Sequence, residues 1–123
     1  MKNKLIWIID RQHWPRALLR AELMERGYDV EGFEELSLAL LELREHGGAL
    51  PRVTVLELRE QDIKQEELDK LIRTGIPLIV LGGETELNDK IIKKMHHRAA
   101  VMKRPLTIGE VADKVEEILK KIS

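Results

Sequence analysis

The chain predicts an α/β sandwich with a parallel sheet, on three observations. Short apolar runs alternate with longer helical patterns, four of the runs are apolar throughout, and one alternates apolar with polar residues. Strands are predicted over 4–9, 28–33, 53–57, 77–82 and 99–102. The second, Tyr28-Asp29-Val30-Glu31-Gly32-Phe33, alternates and so reads as a half-exposed edge. The continuously apolar runs read as strands covered on both faces.

The helices between them carry ordinary punctuation. Pro15 suits a first turn, and Gly27 ends a helix containing Leu18, Leu19, Leu23 and Met24. A second helix over Leu36 to Arg44 is followed by Gly47-Gly48 and a turn at Pro51, and a third over Glu66 to Arg73 ends at Gly75. Thr107 and Glu110 have capping-box spacing ahead of a stripe made by Ile108, Val111, Ala112, Val115, Ile118, Leu119 and Ile122.

At 123 residues the chain is read as one domain over 1–123, large enough for a core that needs neither metal nor disulfide. With aromatics at only 3%, that core is aliphatic, with Trp7, Met95 and Met102 as fillers, and no stacking platform for bases or sugars is visible. Charged residues make up 35% of the chain but nearly cancel, to −1, which argues against a nucleic-acid or membrane binder. The absence of cysteine removes zinc-thiolate, disulfide and thiol-nucleophile chemistry and suits a reducing cytoplasm. No apolar stretch approaches a membrane span, and no signal peptide is evident, so the expected location is cytoplasmic. The last helix runs to the end of the sequence, which suits either a stand-alone protein or a domain of a longer one.

In an open parallel sheet ligands collect outside the carboxyl ends of the strands. Here the strand ends lead to Asp10, Glu57, Gly82 and Arg104. Asp10 with Gly27-Tyr28 beyond it, Pro51 leading to Glu57, the run Ile76-Pro77-Leu78-Ile79-Val80-Leu81 leading to Gly82, and Arg104-Pro105 together resemble the receiver domain of two-component response regulators. The resemblance covers almost the whole chain. It implies a flavodoxin-like three-layer sandwich, a five-stranded parallel sheet in the order 2-1-3-4-5 with helices on both faces.

The resemblance also implies a phosphorylation site in which two adjacent acids hold Mg²⁺, an aspartate accepts phosphate, and a Thr or Ser and a Lys contact the phosphoryl group. This chain keeps only Asp10. The second acid is Arg11, the acceptor position holds Glu57, the hydroxyl position Gly82 and the lysine position Arg104, with Lys103 beside it. The switch aromatic is replaced by Val101 and the proline after the acceptor by Gln61.

Each exchange has a physical consequence. Mg²⁺ needs hard oxygen ligands in near-octahedral geometry, so the Arg11 guanidinium both deletes a ligand and repels the ion. Metal binding is expected to be weak or absent, and no cofactor is expected. The extra methylene of Glu57 moves its carboxylate off the in-line position that phosphoryl transfer requires. Gly82 has no hydroxyl, and Val101 has no ring. Arginine binds carboxylate bidentately, so an internal Glu57–Arg104 or Glu57–Arg11 pair is expected to stand in for the phosphoryl contact. Taken singly, each of these acids also reads as a solvated surface group.

Other candidates are weaker. His96 and His97 are adjacent and diverge on a helix, while His13 and His46 lie in separate segments, so no metal site is expected. Gly82-Gly83 belongs to no phosphate-loop motif and reads as a turn. Lys90, Lys94 and Arg98 recur every four residues on a predicted fourth helix, with Lys93 nearby, while Asp113, Glu116 and Glu117 lie on the last helix. These stripes read as solvated faces or as a docking surface. The resemblance implies association through the face of the fourth helix, fifth strand and last helix, which complementary stripes would serve in a two-fold dimer. Trp14-Pro15 reads as a helix start or a partner anchor.

The expectation is therefore a signalling protein-interaction module, a pseudo-receiver without aspartyl phosphorylation, with a protein partner or itself as ligand and no catalytic residues. Nucleic acid would be reached only through an output domain outside this chain. The alternative is a receiver still regulated by unusual phosphorylation or by a small ligand at the Asp10/Glu57 pocket. An enzyme is disfavoured, because no nucleophile–base pair or cofactor fingerprint occurs.

Overall fold

A computed structural model describes residues 3–46 and 49–122. The elements are β1 (Leu5–Ile9), α1 (His13–Glu25), β2 (Asp29–Phe33), α2 (Leu36–His46), β3 (Val53–Glu57), α3 (Gln65–Arg73), β4 (Leu78–Gly82), α4 (Glu84–Leu87), α5 (Lys90–Lys93), a 3-10 turn (His96–Arg98), β5 (Ala99–Lys103) and α6 (Ile108–Lys121). All strands are parallel in the order β2-β1-β3-β4-β5. This is the flavodoxin-like architecture, and each predicted strand falls within a residue of its observed bounds.

Two core layers flank the sheet. Ile6, Ile8, Val53, Val55, Ile79 and Leu81 meet Leu19 and Leu23 of α1 and Val111, Ala112, Val115 and Leu119 of α6. Trp7, Ile9, Leu56, Leu78 and Val80 face the opposite side, with Leu36 and Ala39 of α2, Leu68 and Leu71 of α3, Leu87, Ile92 and Met95. Successive strand residues point to opposite faces, so strands apolar at every position feed both layers at once. Trp7 and Met95 are buried fillers, and Trp7 meets the Phe33 ring edge-on at 4.9 Å between centroids. Thr107 caps α6 as its spacing predicts: its hydroxyl accepts from the Glu110 N–H at 3.0 Å, and the Glu110 carboxylate accepts from the Thr107 N–H at 3.1 Å.

Three expectations change. The fourth helix is not continuous. Asn88 closes α4, and the Asp89 carboxylate accepts from the Ile91 N–H at 2.9 Å to start α5, so a local cap outcompetes helix propagation. Lys90, Lys94 and Arg98 therefore belong to a helix, its cap and a 3-10 turn rather than to one stripe. Strand β5, read as covered on both faces, is the second edge of the sheet, half-buried at Ala99, Ala100 and Met102 and exposed at Val101 and Lys103, to which it runs on. Gly47 and Gly48, read as following the second helix, lie outside the described residues.

Candidate functional site

The loops at the carboxyl ends of β1, β3, β4 and β5 meet at one end of the sheet. Asp10 leaves β1 with its backbone N–H donating to the Phe33 carbonyl at 2.9 Å, which fixes it at the end of the β1–β2 ladder. Its carboxylate, almost fully buried, accepts from the Gln12 N–H at 2.9 Å and faces Arg59 Nη2 at 3.5 Å. Arg16 reaches back from α1 to donate to the Asp10 carbonyl at 2.6 Å. That path crosses Gly32 of β2, where a Cβ would stand 3.0 Å from Arg16 Cδ, so the glycine makes room for the arginine.

Glu57 is the last residue of β3, and only 5% of its side chain is exposed. Its Oε1 accepts from the Arg59 backbone N–H at 3.0 Å and from Arg104 Nη1. Arg104 follows β5, its own N–H donating to the Gly82 carbonyl at 2.9 Å, and the Arg104-Pro105 bond is cis. Its second terminal nitrogen donates to Glu86 in α4. The same Glu86 oxygen accepts from the Gly83 N–H at 2.7 Å, so one carboxylate caps α4 and holds the arginine. Arg104 thus ties the end of β5 to β4 through its backbone and to β3 and α4 through one guanidinium, whose planar fork suits two carboxylates at once.

Burial is the largest influence on Glu57 and pushes its carboxyl above the ordinary range. The Arg59 N–H and the guanidiniums of Arg104 and Arg59 pull it back without reversing the direction. Burial opposes the charge on Arg104 as well, but the Glu57 and Glu86 carboxylates outweigh it and raise that group.

Of the residues named from sequence, Asp10, Glu57 and Arg104 come together, and of the two expected pairs the one with Arg104 forms. Arg11 turns away to Glu35, in an ion pair about two-fifths exposed, with side-chain exposures of 41% and 43%. Lys103 lies 3.7 Å from Glu84 on the surface. Gly82 is packed rather than open: a Cβ there would lie 3.1 Å from Leu58 and 3.2 Å from Leu87. Val101 is exposed on β5. Gln61 donates from its side chain to the Glu34 carbonyl at 2.7 Å and so ties the loop after β3 to the one after β2.

Asp113 and Glu116 both accept from Arg26, at 2.8 and 2.7 Å, and Glu117 pairs with Lys114 and Lys121. The acidic stripe is therefore engaged with α1 and its own helix. Arg59 and Glu86 were not legible as site residues. Glu86 does carry a signal, since it stands three residues after Gly83 at capping distance. Arg59 carries one too, two residues beyond Glu57.

The donor set does not suit Mg²⁺. One Asp10 oxygen accepts a backbone N–H, the other faces a guanidinium, the neighbouring position is Arg11, and Glu57 is occupied by Arg104. Among the described residues no group of three or more His, Asp or Glu is placed to hold a metal ion, and no helix is long and apolar enough to cross a membrane.

No protein-family model matches the chain, and no curated protein matches it by sequence. Solved structures do. A CheY-like response regulator receiver domain protein from Methanospirillum hungatei JF-1 aligns with TM-score 0.78 at 20% identity, over 98% of this chain and 96% of that one. The Francisella response regulator 1452 receiver domain aligns with TM-score 0.76 at 16% identity, over 98% of this chain and all of that one, 100%. NtrX from Brucella abortus, solved with ADP, aligns with TM-score 0.75 at 16% identity, and 98% of this chain spans 28% of that longer one. The fold of this chain is that of the response-regulator receiver domain.

Proposed function

We propose that this domain is a pseudo-receiver, a signalling module that works by protein contact and does not accept phosphate at the acceptor position. The observation that carries the reading is the sharing of Arg104 between Glu57 and Glu86. A carboxylate already paired with a guanidinium and a backbone N–H has to break both contacts before it can attack phosphorus, and no metal-binding donor set is at hand to offset that loss. Position 82 supplies no hydroxyl, and a Cβ there would already press on Leu58 and Leu87 at 3.1 and 3.2 Å. Without a nucleophile–base pair the domain is not an enzyme, and its place of work is the cytoplasm.

The contact surface for a protein partner is the segment between β4 and β5, where Lys90, Lys94 and Arg98 are exposed on three successive pieces of backbone rather than one stripe, and its positive charge suits an acidic partner. A two-fold dimer through the same face is less favoured, because Asp113 and Glu116, its acidic half, already serve Arg26.

The test is incubation with acetyl phosphate and Mg²⁺ followed by intact-mass analysis. No phosphoryl adduct is expected, and beryllofluoride with Mg²⁺ should leave the melting temperature unchanged. A stoichiometric adduct that disappears in Glu57→Gln would overturn the reading.

A further inference from the structure

Helix α1 buries Leu19 and Leu23 in the core and turns the opposite face outward. That outward face is apolar. Trp14, Leu18 and Ala21 on one row and Ala17, Ala21 and Met24 on the next are each spaced by four and three residues, which places all five on one side of a helix. Trp14 is 71% exposed, Leu18 55% and Met24 48%. These are three of the large apolar side chains left exposed among the described residues, and all three sit on this one face. No segment of the described chain covers it: α6 and the sheet lie against α1 on its inner side, and Arg26 ties the end of the helix to Asp113 and Glu116. A helix apolar on two opposite sides is one that is buried twice.

We propose that this face is the interface of a parallel two-fold dimer of the chain, α1 packed on α1 of a second copy. The spacing is that of two heptads, with Trp14 and Ala21 in one core position and Ala17 and Met24 in the other. The flanks decide both occupant and direction. Arg20 and Glu25, both exposed, stand on opposite flanks of the apolar strip and five residues apart, which in a parallel pair sets Arg20 of each copy against Glu25 of the other. An antiparallel pair that seats Trp14 on Met24 of the second copy would instead place Arg20 beside its own symmetry mate. The two alanines let the helices approach, while Trp14, held edge-on against His13 at 5.2 Å between centroids, supplies the rigid anchor. Arg20 uses Nε on the Val30 carbonyl at 3.2 Å, and a guanidinium carries four further donors on its terminal nitrogens. The interface is independent of the strand-end site, so its test does not depend on whether that site takes phosphate.

The chain contains no cysteine, so a single introduced one reports cleanly on proximity. Sedimentation over a concentration series of the whole chain should show a monomer–dimer equilibrium, with a blue shift of tryptophan emission as Trp14 is covered. Leu18→Glu should weaken association at least about tenfold, with an unchanged melting temperature at concentrations where the parent is monomeric, because the side chain is exposed in the monomer. Arg20→Glu and Glu25→Arg should each weaken it, and the double swap should restore it. Under mild oxidation Ala21→Cys should form a disulfide-linked dimer much faster than Glu66→Cys on α3. A chain monomeric at every concentration overturns the proposal. So does a dimer that survives Leu18→Glu, or one in which Ala21→Cys links no faster than Glu66→Cys, since these place the contact on another face or in the opposite direction.

Discussion

Burial raises the Glu57 carboxyl above its ordinary range although Arg104 and Arg59 face it, and that has a pH signature. Because burial raises its carboxyl in the folded chain, the folded state keeps a proton up to a higher pH than the unfolded chain, whose value stays near the ordinary 4.5. Unfolding free energy then falls as pH rises from that ordinary value through the folded one, and is level above it. Glu57→Gln removes the titration. Its stability relative to the parent should rise over the same interval, measured by urea midpoints between about pH 4 and pH 8. A difference that is flat or of opposite slope would show that the arginines, not burial, govern the group. Arg104→Met should cost about 3 kcal/mol, because it strands a buried carboxylate, and the Glu57→Gln/Arg104→Met double variant should lose less than the two single losses added together. Double-mutant cycles by chemical denaturation read this directly.

At the scale of elements, the segment between β4 and β5 depends on few contacts. Helices α4 and α5 have four residues each, too short to stand by propensity alone, so caps and the Leu87, Ile92 and Met95 anchors hold them in place. Glu86 supports α4 twice, as cap of Gly83 and as partner of Arg104. Glu86→Ala should therefore cost about 1–2 kcal/mol and raise amide exchange across 84–98 more than elsewhere. Uniform exchange across the chain would mean that the apolar anchors suffice. Gly82→Thr presses a branched side chain onto Leu58 and Leu87, and a loss of about 1–3 kcal/mol in thermal or urea unfolding is expected.

Across the whole molecule, stability rests on the two layers either side of the sheet. Leu23 is fully buried between α1 and the sheet, so Leu23→Ala should cost about 2–5 kcal/mol, whereas Leu18→Ala, one turn away on the exposed face, should fall within about 0.5 kcal/mol. The contrast within one helix separates the face that builds the monomer from the face proposed to join two copies. Comparable losses at both positions would mean that Leu18 belongs to the core.

Sequence by itself determined the strands, the Thr107–Glu110 cap of α6 and the residues that end each strand, because alternation and capping are local and leave their mark in the spacing. It also brought Glu57 and Arg104 into one expected pair, since parallel order sets the ends of β3 and β5 on the same side of the sheet. Tertiary structure alone decided which charge answers which. Arg11 goes to Glu35, Asp10 meets Arg59, Glu86 joins Arg104, and Asp113 and Glu116 turn to Arg26. In a chain that is 35% charged, many opposite pairs are equally good on paper. The choice among them is made by loop paths and burial, which spacing does not encode. The broken fourth helix has a different, local origin: Leu87, Ile91, Ile92 and Met95 keep helical spacing, and the break comes from the Asp89 side chain capturing the Ile91 N–H two residues on.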